Sequence, residues 1–169
     1  MTCLPFTVRS IGAPIIAAIN GHAVGAGLCV SLGCDIRVAS RDAKLGVNFV
    51  RIGIHPGMGA TYFLPRLLGT SGAARLLLTG DLIDATEAYR LRLVSQVCNT
   101  ADETRNAAIE TALSIAQASD VAVRELLATL RGHDAELDKA LQREAEAQAT
   151  CYADGTDLRN AIDAMRGKK

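Results

Sequence analysis

Glycine, proline and charged residues are distributed unevenly along the chain, and this asymmetry constrains the fold more than any other feature. All 4 prolines and 12 of the 15 glycines precede residue 81, whereas 27 of the 36 Lys, Arg, Asp and Glu residues lie at or after it. Glycine and proline mark turns, and charged residues with helical spacing are typical of amphipathic helices. The sequence therefore predicts an α/β part over 1–80 and a helical region over 81–169, whose expected role is oligomerisation.

The first part contains a strand, a glycine turn, a helix and a second strand in that order. The apolar run 14–19 stops at Asn20-Gly21, which predicts a strand buried on both faces. Residues 28–32 follow a glycine turn and predict a short helix. Residues 35–39 alternate polar and apolar side chains, as a half-exposed strand does. This order is an α/β unit.

The chain then returns to helix. A second glycine turn over 55–60 leads into an apolar helix, in which Pro65 is expected to introduce a bend or lie near the end. Asp84-x-x-Glu87 and Thr100-x-x-Glu103 both have the spacing of a capping box at a helix N-terminus. Three or four amphipathic helices follow, and their apolar stripes are expected to need subunit contacts for burial.

Charge and cysteine content exclude several classes of protein. The 18 basic and 18 acidic residues cancel and the pI is about 6.8, so we expect neither nucleic acid nor a membrane surface as a partner. No apolar run approaches the roughly 18 residues of a membrane span. The odd number and irregular spacing of the cysteines predict reduced thiols, no metal site and an intracellular location, in the cytoplasm or an organelle matrix. They are Cys3, Cys29, Cys34, Cys98 and Cys151.

The glycine turns are the best candidates for chemistry. Backbone N–H groups at a helix N-terminus can hold an anion or a developing oxyanion, although the same glycines could serve only to make a tight turn. Gly25-Ala26-Gly27 begins like a dinucleotide-binding fingerprint, but Val30 occupies the sixth position and no acidic residue follows at the required distance. The standard phosphate, zinc-protease and serine-hydrolase motifs are absent as well.

Several segments together resemble the enoyl-CoA hydratase/isomerase (crotonase) family. They are PIIAAINGHAVGAG at 14–27, CDIRVA at 34–39, GIHPGMGAT at 53–61 and LPR at 64–66. The resemblance is close over 12–98 and looser in the helical tail. It implies the C-terminal part of a crotonase-like ββα superhelix, followed by a helical trimerisation region that forms homotrimers or hexamers. It also implies acyl-CoA as substrate or ligand, with coenzyme A carried by the substrate and no separate cofactor.

The resemblance also implies a site. In the family a thioester oxygen lies between two backbone N–H groups, one of which maps onto Ala26. If this position requires a positive φ, Ala26 would be strained, because alanine has a Cβ. The substrate-binding residues implied are Val24, Gly25, Ala26, Gly27, Cys29, Phe49, Pro56, Gly57 and Tyr62.

Two departures from the family pattern affect the expected activity. The two hydratase glutamates map onto Cys29 and Phe49, which cannot replace carboxylates as acid and base, so ordinary hydration is disfavoured. Asn48 adjoins the second position but does not titrate, and the proton-shuttling aspartate of dienoyl-CoA isomerases maps close to Arg51. Family members also have a longer N-terminal region. We therefore expect a fragment of a longer chain, with a shortened paralogue as the alternative.

The candidate side chains each allow a structural interpretation. Cys29 is a candidate nucleophile or a buried core thiol. His55 is a candidate general base or a structural, substrate-lining residue. Tyr62 lines the acyl pocket or packs in the core.

The leading functional hypothesis is a lyase, isomerase or thioester hydrolase of fatty acid metabolism that stabilises a thioester enolate at the Ala26 N–H. The alternative is a non-catalytic acyl-CoA-binding or assembly subunit. RNA binding is disfavoured, because the chain has no net charge and no lysine-rich helix.

Overall fold

The computed structural model describes residues 4–132 and 134–166, so Cys3 lies outside the described residues. Strands and helices are interspersed up to Cys98, and only helices follow it among these residues. The strands are β1 (Ile16–Ile19), β2 (Ala23–Val24), β3 (Ile36–Ser40), β4 (Lys44–Gly46), β5 (Leu82–Asp84) and β6 (Gln96–Cys98). The helices are α1 (Leu4–Arg9), α2 (Ala26–Leu32), α3 (Ala60–Thr79), α4 (Ala85–Arg90), α5 (Ala101–Ala116), α6 (Asp120–Arg131), α7 (Asp134–Asp154) and α8 (Thr156–Arg166), with a 3₁₀ helix at Asn48–Ile52.

The strands form two small sheets. One has the order β1-β3-β6 and is parallel throughout, with Ile16 opposite Ile36 and Ser40 opposite Cys98. The other has the order β2-β4-β5, in which β2 and β4 are parallel and β4 and β5 antiparallel. Strands β5 and β6 follow residue 80 and pair with β4 and β3, so the sheets draw on both parts of the chain.

Burial in β1 and β3 is the reverse of the sequence prediction. Strand β1 was expected to be buried on both faces, but Ile16, Ala17 and Ala18 are only half-buried. Within the described residues β1 pairs with β3 alone and so lies at a sheet edge. The half-exposed strand expected over 35–39 is also wrong. Residues 37–40 are buried, because β3 lies between β1 and β6.

Helix α3 carries much of the core and bends at a glycine. Pro65 was expected to introduce a bend or to lie near the end of the helix. The bend occurs at Gly69, four residues later, where a φ of 70° and a ψ of 166° interrupt the helix. Glycine lacks a Cβ and adopts such a conformation at little steric cost. The apolar residues Phe63 and Leu64 before the bend, and Leu76 after it, are buried in the main hydrophobic cluster.

Both predicted caps are confirmed. The Asp84 side chain accepts a hydrogen bond from the Glu87 N–H at 2.8 Å, and the Thr100 hydroxyl accepts one from the Glu103 N–H at 3.1 Å. The Glu103 carboxylate also accepts a hydrogen bond from the Asn99 N–H at 2.9 Å. These side chains satisfy N–H groups that lack partners within the helix.

The helical region leaves apolar side chains uncovered. Leu127 of α6 and Leu137 of α7 are buried, whereas Ile109 and Leu113 of α5 and Leu130 of α6 are about half exposed or more. Within the described residues no helix is long and apolar enough to cross a membrane.

Candidate functional site

The first glycine turn connects β2 to α2 through Gly25. Its φ of 58° and ψ of −121° favour glycine, and its N–H donates to the Gly46 carbonyl at 2.9 Å. A Cβ built on Gly25 would lie 3.3 Å from Asn48 Oδ1 and 4.0 Å from Phe49 Cζ. The turn is therefore packed closely against the 3₁₀ helix.

Ala26 is the first residue of α2 and is exposed. Its N–H consequently has no carbonyl four residues earlier within the helix to bond to. Ala26 is not among the residues of positive φ, because Gly25 adopts the left-handed conformation one position earlier. The strain considered for Ala26 is therefore absent. Gly27 beside it is also exposed, and Val24 is half-buried.

Cys29 connects the first glycine turn to the second. It is fully buried, its N–H donates to the Gly25 carbonyl at 3.1 Å, and its thiol donates to the Gly57 carbonyl at 3.6 Å. This position inside the main hydrophobic cluster favours the interpretation of Cys29 as a core thiol.

The 3₁₀ helix places an amide and a phenyl ring beside Gly25. Phe49 is buried and Asn48 is half-buried. Cys29 and Phe49 occupy the positions where the family resemblance implies carboxylates, and Asn48 adjoins the second of them. None of the three supplies a carboxylate for acid-base chemistry.

The second turn contains two consecutive residues of positive φ, Met58 at 58° and Gly59 at 78°. Pro56 and Gly57 are buried, and His55 is half-buried. His55 Nδ1 lies 2.6 Å from the Pro56 carbonyl oxygen. A carbonyl only accepts hydrogen bonds, so Nδ1 carries a proton, and in the neutral ring Nε2 is the basic nitrogen.

Helix α7 supplies two residues that the sequence reasoning did not single out. The Glu144 carboxylate accepts hydrogen bonds from the Gly59 N–H at 2.8 Å, the Thr61 N–H at 2.9 Å and the Thr61 hydroxyl at 2.6 Å. Gln148 Nε2 donates to the His55 carbonyl at 2.9 Å. Glu144 and Gln148 lie more than 80 residues from these partners, so no local sequence signal could have revealed them.

Glu144 is a buried cap for α3. Only 2% of the residue is exposed, and its oxygens bond the first N–H groups of a helix whose N-cap is a glycine. A carboxylate suits this position, because the helix dipole favours negative charge there. The three hydrogen bonds to Gly59 and Thr61 give Glu144 a structural role at the start of α3. Gly57 leaves room for Gln148, since a Cβ on Gly57 would lie 2.5 Å from Gln148 Nε2.

Tyr62 packs in the core at the start of α3. It is 5% exposed, and its ring meets Phe63 edge to face with centroids 5.0 Å apart. The Arg66 guanidinium lies 3.8 Å from the Tyr62 ring centroid. These contacts favour the interpretation of Tyr62 as a residue that packs in the core. Within the described residues, no group of three or more His, Cys, Asp or Glu side chains could hold a metal ion.

Comparisons with known proteins identify the family of the chain. The chain matches the family model described as Enoyl-CoA hydratase/isomerase over residues 4–165. It is 40% identical over 157 residues to the short-chain-enoyl-CoA hydratase of Clostridium acetobutylicum, a match that covers 92% of this chain and 59% of the relative. The chain belongs to the enoyl-CoA hydratase/isomerase family.

The solved structures confirm the crotonase-like α/β fold. The enoyl-CoA hydratase/isomerase of Pseudoalteromonas atlantica T6c is similar with a TM-score of 0.89 and 27% identity, over 98% of this chain and 66% of that one. The enoyl-CoA hydratase of Bacillus halodurans is similar with a TM-score of 0.84 and 33% identity, and the match covers 95% of this chain and 65% of that one. The chain thus spans less than two thirds of the length of these family members.

Proposed function

We propose that this crotonase-family protein binds an acyl-CoA thioester and stabilises its enolate, with the thioester oxygen accepting a hydrogen bond from the Ala26 N–H. The observation that carries the proposal is the placement of Ala26. It is exposed, is the first residue of α2 and has an N–H without an intrahelical acceptor. Such a donor, at the positive end of a helix, stabilises negative charge that develops on an oxygen.

The reaction proposed is an enolate-forming lyase or isomerase reaction other than simple hydration. Hydration needs an acid and a base that activate the water and transfer the α-proton. Cys29 and Phe49 do not supply these groups. Glu144 is held by Gly59 and Thr61 as the cap of α3. His55 begins the second turn, and we assign its Nε2 as the candidate proton acceptor.

A non-catalytic acyl-CoA-binding subunit is the second candidate. The observation that favours it is the replacement of acid and base by a fully buried thiol and a buried phenyl ring. Such a protein would bind the thioester at Ala26 without removing the α-proton.

Homotrimers or hexamers remain part of the proposal. The exposed apolar residues of α5 and α6, including Leu113 and Leu130, support contacts between copies, since large exposed apolar patches mark interaction surfaces. Cys34, Cys98 and Cys151 form no disulfide among the described residues, and this supports an intracellular location.

Calorimetric titration with acetoacetyl-CoA tests the Ala26 donor. Proline is tolerated at the first position of a helix, so Ala26→Pro removes the N–H and leaves α2 intact. Ala26→Ser is the matched control, because it keeps the N–H. We expect saturable binding by the wild type and Ala26→Ser, and binding weakened about tenfold by Ala26→Pro, for the loss of one hydrogen bond to developing charge. Equal affinity for all three proteins would disprove the role of Ala26.

Exchange of the α-protons of butyryl-CoA in D₂O, followed by NMR, separates the two candidates. An enolate-forming enzyme catalyses the exchange, and His55→Gln should slow it while leaving binding unchanged. Binding without any exchange would establish the non-catalytic function.

A further inference from the structure

A second groove, outside the glycine turns, is rich in arginine. It has a volume of about 490 Å³ and lies between the start of β3 and the end of α4 with the loop that follows. Its lining residues are Asp35, Ile36, Arg37, Tyr89, Arg90, Arg92, Val94 and Ser95.

Arg37 is a largely buried residue that lines this groove. Only 8% of the residue is exposed. Its Nε donates to the Leu93 carbonyl at 2.8 Å, and its Nη1 donates to the carbonyls of Cys34 at 2.7 Å and Ser31 at 3.5 Å. Within the described part of the chain, no acceptor is bonded to Nη2. Burial lowers the pKa of Arg37, so an anion beside Nη2 would compensate its desolvation.

Arg92 adds an exposed guanidinium in an unusual conformation. Its φ is 62°, in the left-handed region that a side chain rarely adopts. Among the described residues, no carboxylate forms an ion pair with Arg92. Its positive charge is therefore available at the rim of the groove.

The acidic groups near the groove are engaged by other arginines. Both oxygens of Asp35 accept hydrogen bonds from Arg131, at 2.9 and 2.6 Å. Glu87 pairs with Arg90 at 2.6 Å and with Arg75 at 3.3 Å. Each carboxylate is thus neutralised, and the charges of Arg37 and Arg92 leave the groove positive.

We propose that this groove binds the phosphate group of a small ligand, with Arg37 Nη2 and Arg92 as its donors. A guanidinium presents several N–H groups in a planar fork that matches the oxygens of phosphate. The half-exposed Tyr89 forms another wall of the groove and offers a ring and a hydroxyl to the rest of the ligand. The groove is built from the start of β3, the end of α4 and the loop after α4, and Ala26 does not line it, so the proposal does not rest on the thioester site.

Titration of the full chain with inorganic pyrophosphate, by calorimetry at low salt, tests the groove. The informative variant is Arg92→Gly, because glycine adopts a positive φ easily and the fold should be retained. The control is Arg105→Gln on α5, which removes an exposed arginine away from the groove. A second variant, Arg90→Gln, tests the same surface without altering the left-handed residue.

We expect saturable binding by the wild type, unchanged in Arg105→Gln and weakened about tenfold in Arg92→Gly, for the loss of one charge-assisted contact. Weaker binding by Arg90→Gln than by Arg105→Gln would support the same conclusion. Absence of wild-type binding, or equal weakening by all three substitutions, would overturn the proposal. Tighter binding of a single-stranded RNA oligonucleotide than of pyrophosphate would also overturn it, because the groove would then serve a polyanion.

Discussion

Glu144 accepts hydrogen bonds from both the backbone N–H and the hydroxyl of Thr61, a residue 83 positions earlier in the chain. The same carboxylate accepts a third hydrogen bond from the Gly59 N–H. Helix α7 therefore determines where the second glycine turn ends and where α3 begins.

Removal of this carboxylate should destabilise the protein strongly. Glu144→Ala leaves buried N–H groups of Gly59 and Thr61 without acceptors, and we expect the free energy of unfolding to fall by about 3 kcal/mol. Urea unfolding followed by circular dichroism measures the change. Glu136→Ala is the control, because Glu136 pairs with Arg66 on the exposed surface and its loss should cost less than about 1 kcal/mol. Equal losses in the two variants would contradict the role of Glu144.

The pair formed by Arg131 and Asp35 connects α6 to the start of β3 and to the chain before β1. Arg131 bonds both oxygens of Asp35, and its Nη1 donates to the carbonyls of Arg9 at 2.7 Å and Ile11 at 2.6 Å. Since the pair is largely buried, Arg131→Met leaves a carboxylate without its partner. We expect a loss of about 3–5 kcal/mol in unfolding free energy.

Two further variants make the Arg131 result specific. Arg131→Lys retains the charge but not the planar fork, so it should recover only part of the loss. Arg124→Met removes an exposed partner of Asp120 on the same helix and should cost less than about 1 kcal/mol. Full stability in Arg131→Lys would show that charge alone is sufficient.

Cys34 should make the protein less stable in alkali. Burial raises the pKa of the Cys34 thiol, which also donates to the Val30 carbonyl at 3.8 Å. Above about pH 8.5 the thiol of the unfolded chain ionises while the native thiol stays protonated, so stability falls as the pH rises. The loss attributable to Cys34 should be below about 1.4 kcal/mol per pH unit.

The measurement is the urea midpoint between neutral and alkaline pH, for the wild type and for Cys34→Ala. Other groups also titrate in this range, so the informative quantity is the difference in slope between the two proteins. A shallower alkaline decline in Cys34→Ala is expected. Parallel curves would show that this thiol makes no contribution.

Local sequence signals predicted the elements but not the long-range contacts that decide burial and capping. The capping residues Asp84 and Thr100 act on N–H groups three positions away, so their spacing was informative. Arg37 resembled the exposed residue of an alternating strand, but the Leu93 carbonyl, 56 residues later, accepts its hydrogen bond and helps bury it. Such pairings depend on which strands become neighbours.

Part of the candidate site could be predicted in the same way. The glycine turns and the helix starts after them follow from local sequence, because adjacent residues define a turn and a helix start. The role of Ala26 came only from the family resemblance. The cap provided by Glu144 could not be predicted from local sequence, because it depends on the docking of α7. The left-handed conformation falls on Gly25 and not on Ala26, which only backbone geometry could establish.

The wild-type protein should hydrate crotonyl-CoA no faster than Ala26→Pro does. An acid-base group contributes about 10²–10⁴-fold to a rate, and Cys29 and Phe49 supply no carboxylate at either implied position. Loss of the ultraviolet absorbance of the enoyl thioester measures hydration. The same samples should bind acetoacetyl-CoA, so that a slow rate is not mistaken for unfolded protein. Rapid hydration that Ala26→Pro abolishes would show that another group performs the proton transfer. His55 would be the first group to test, with the variant His55→Gln. Slow hydration with intact binding restricts the protein to enolate chemistry without added water, or to binding alone.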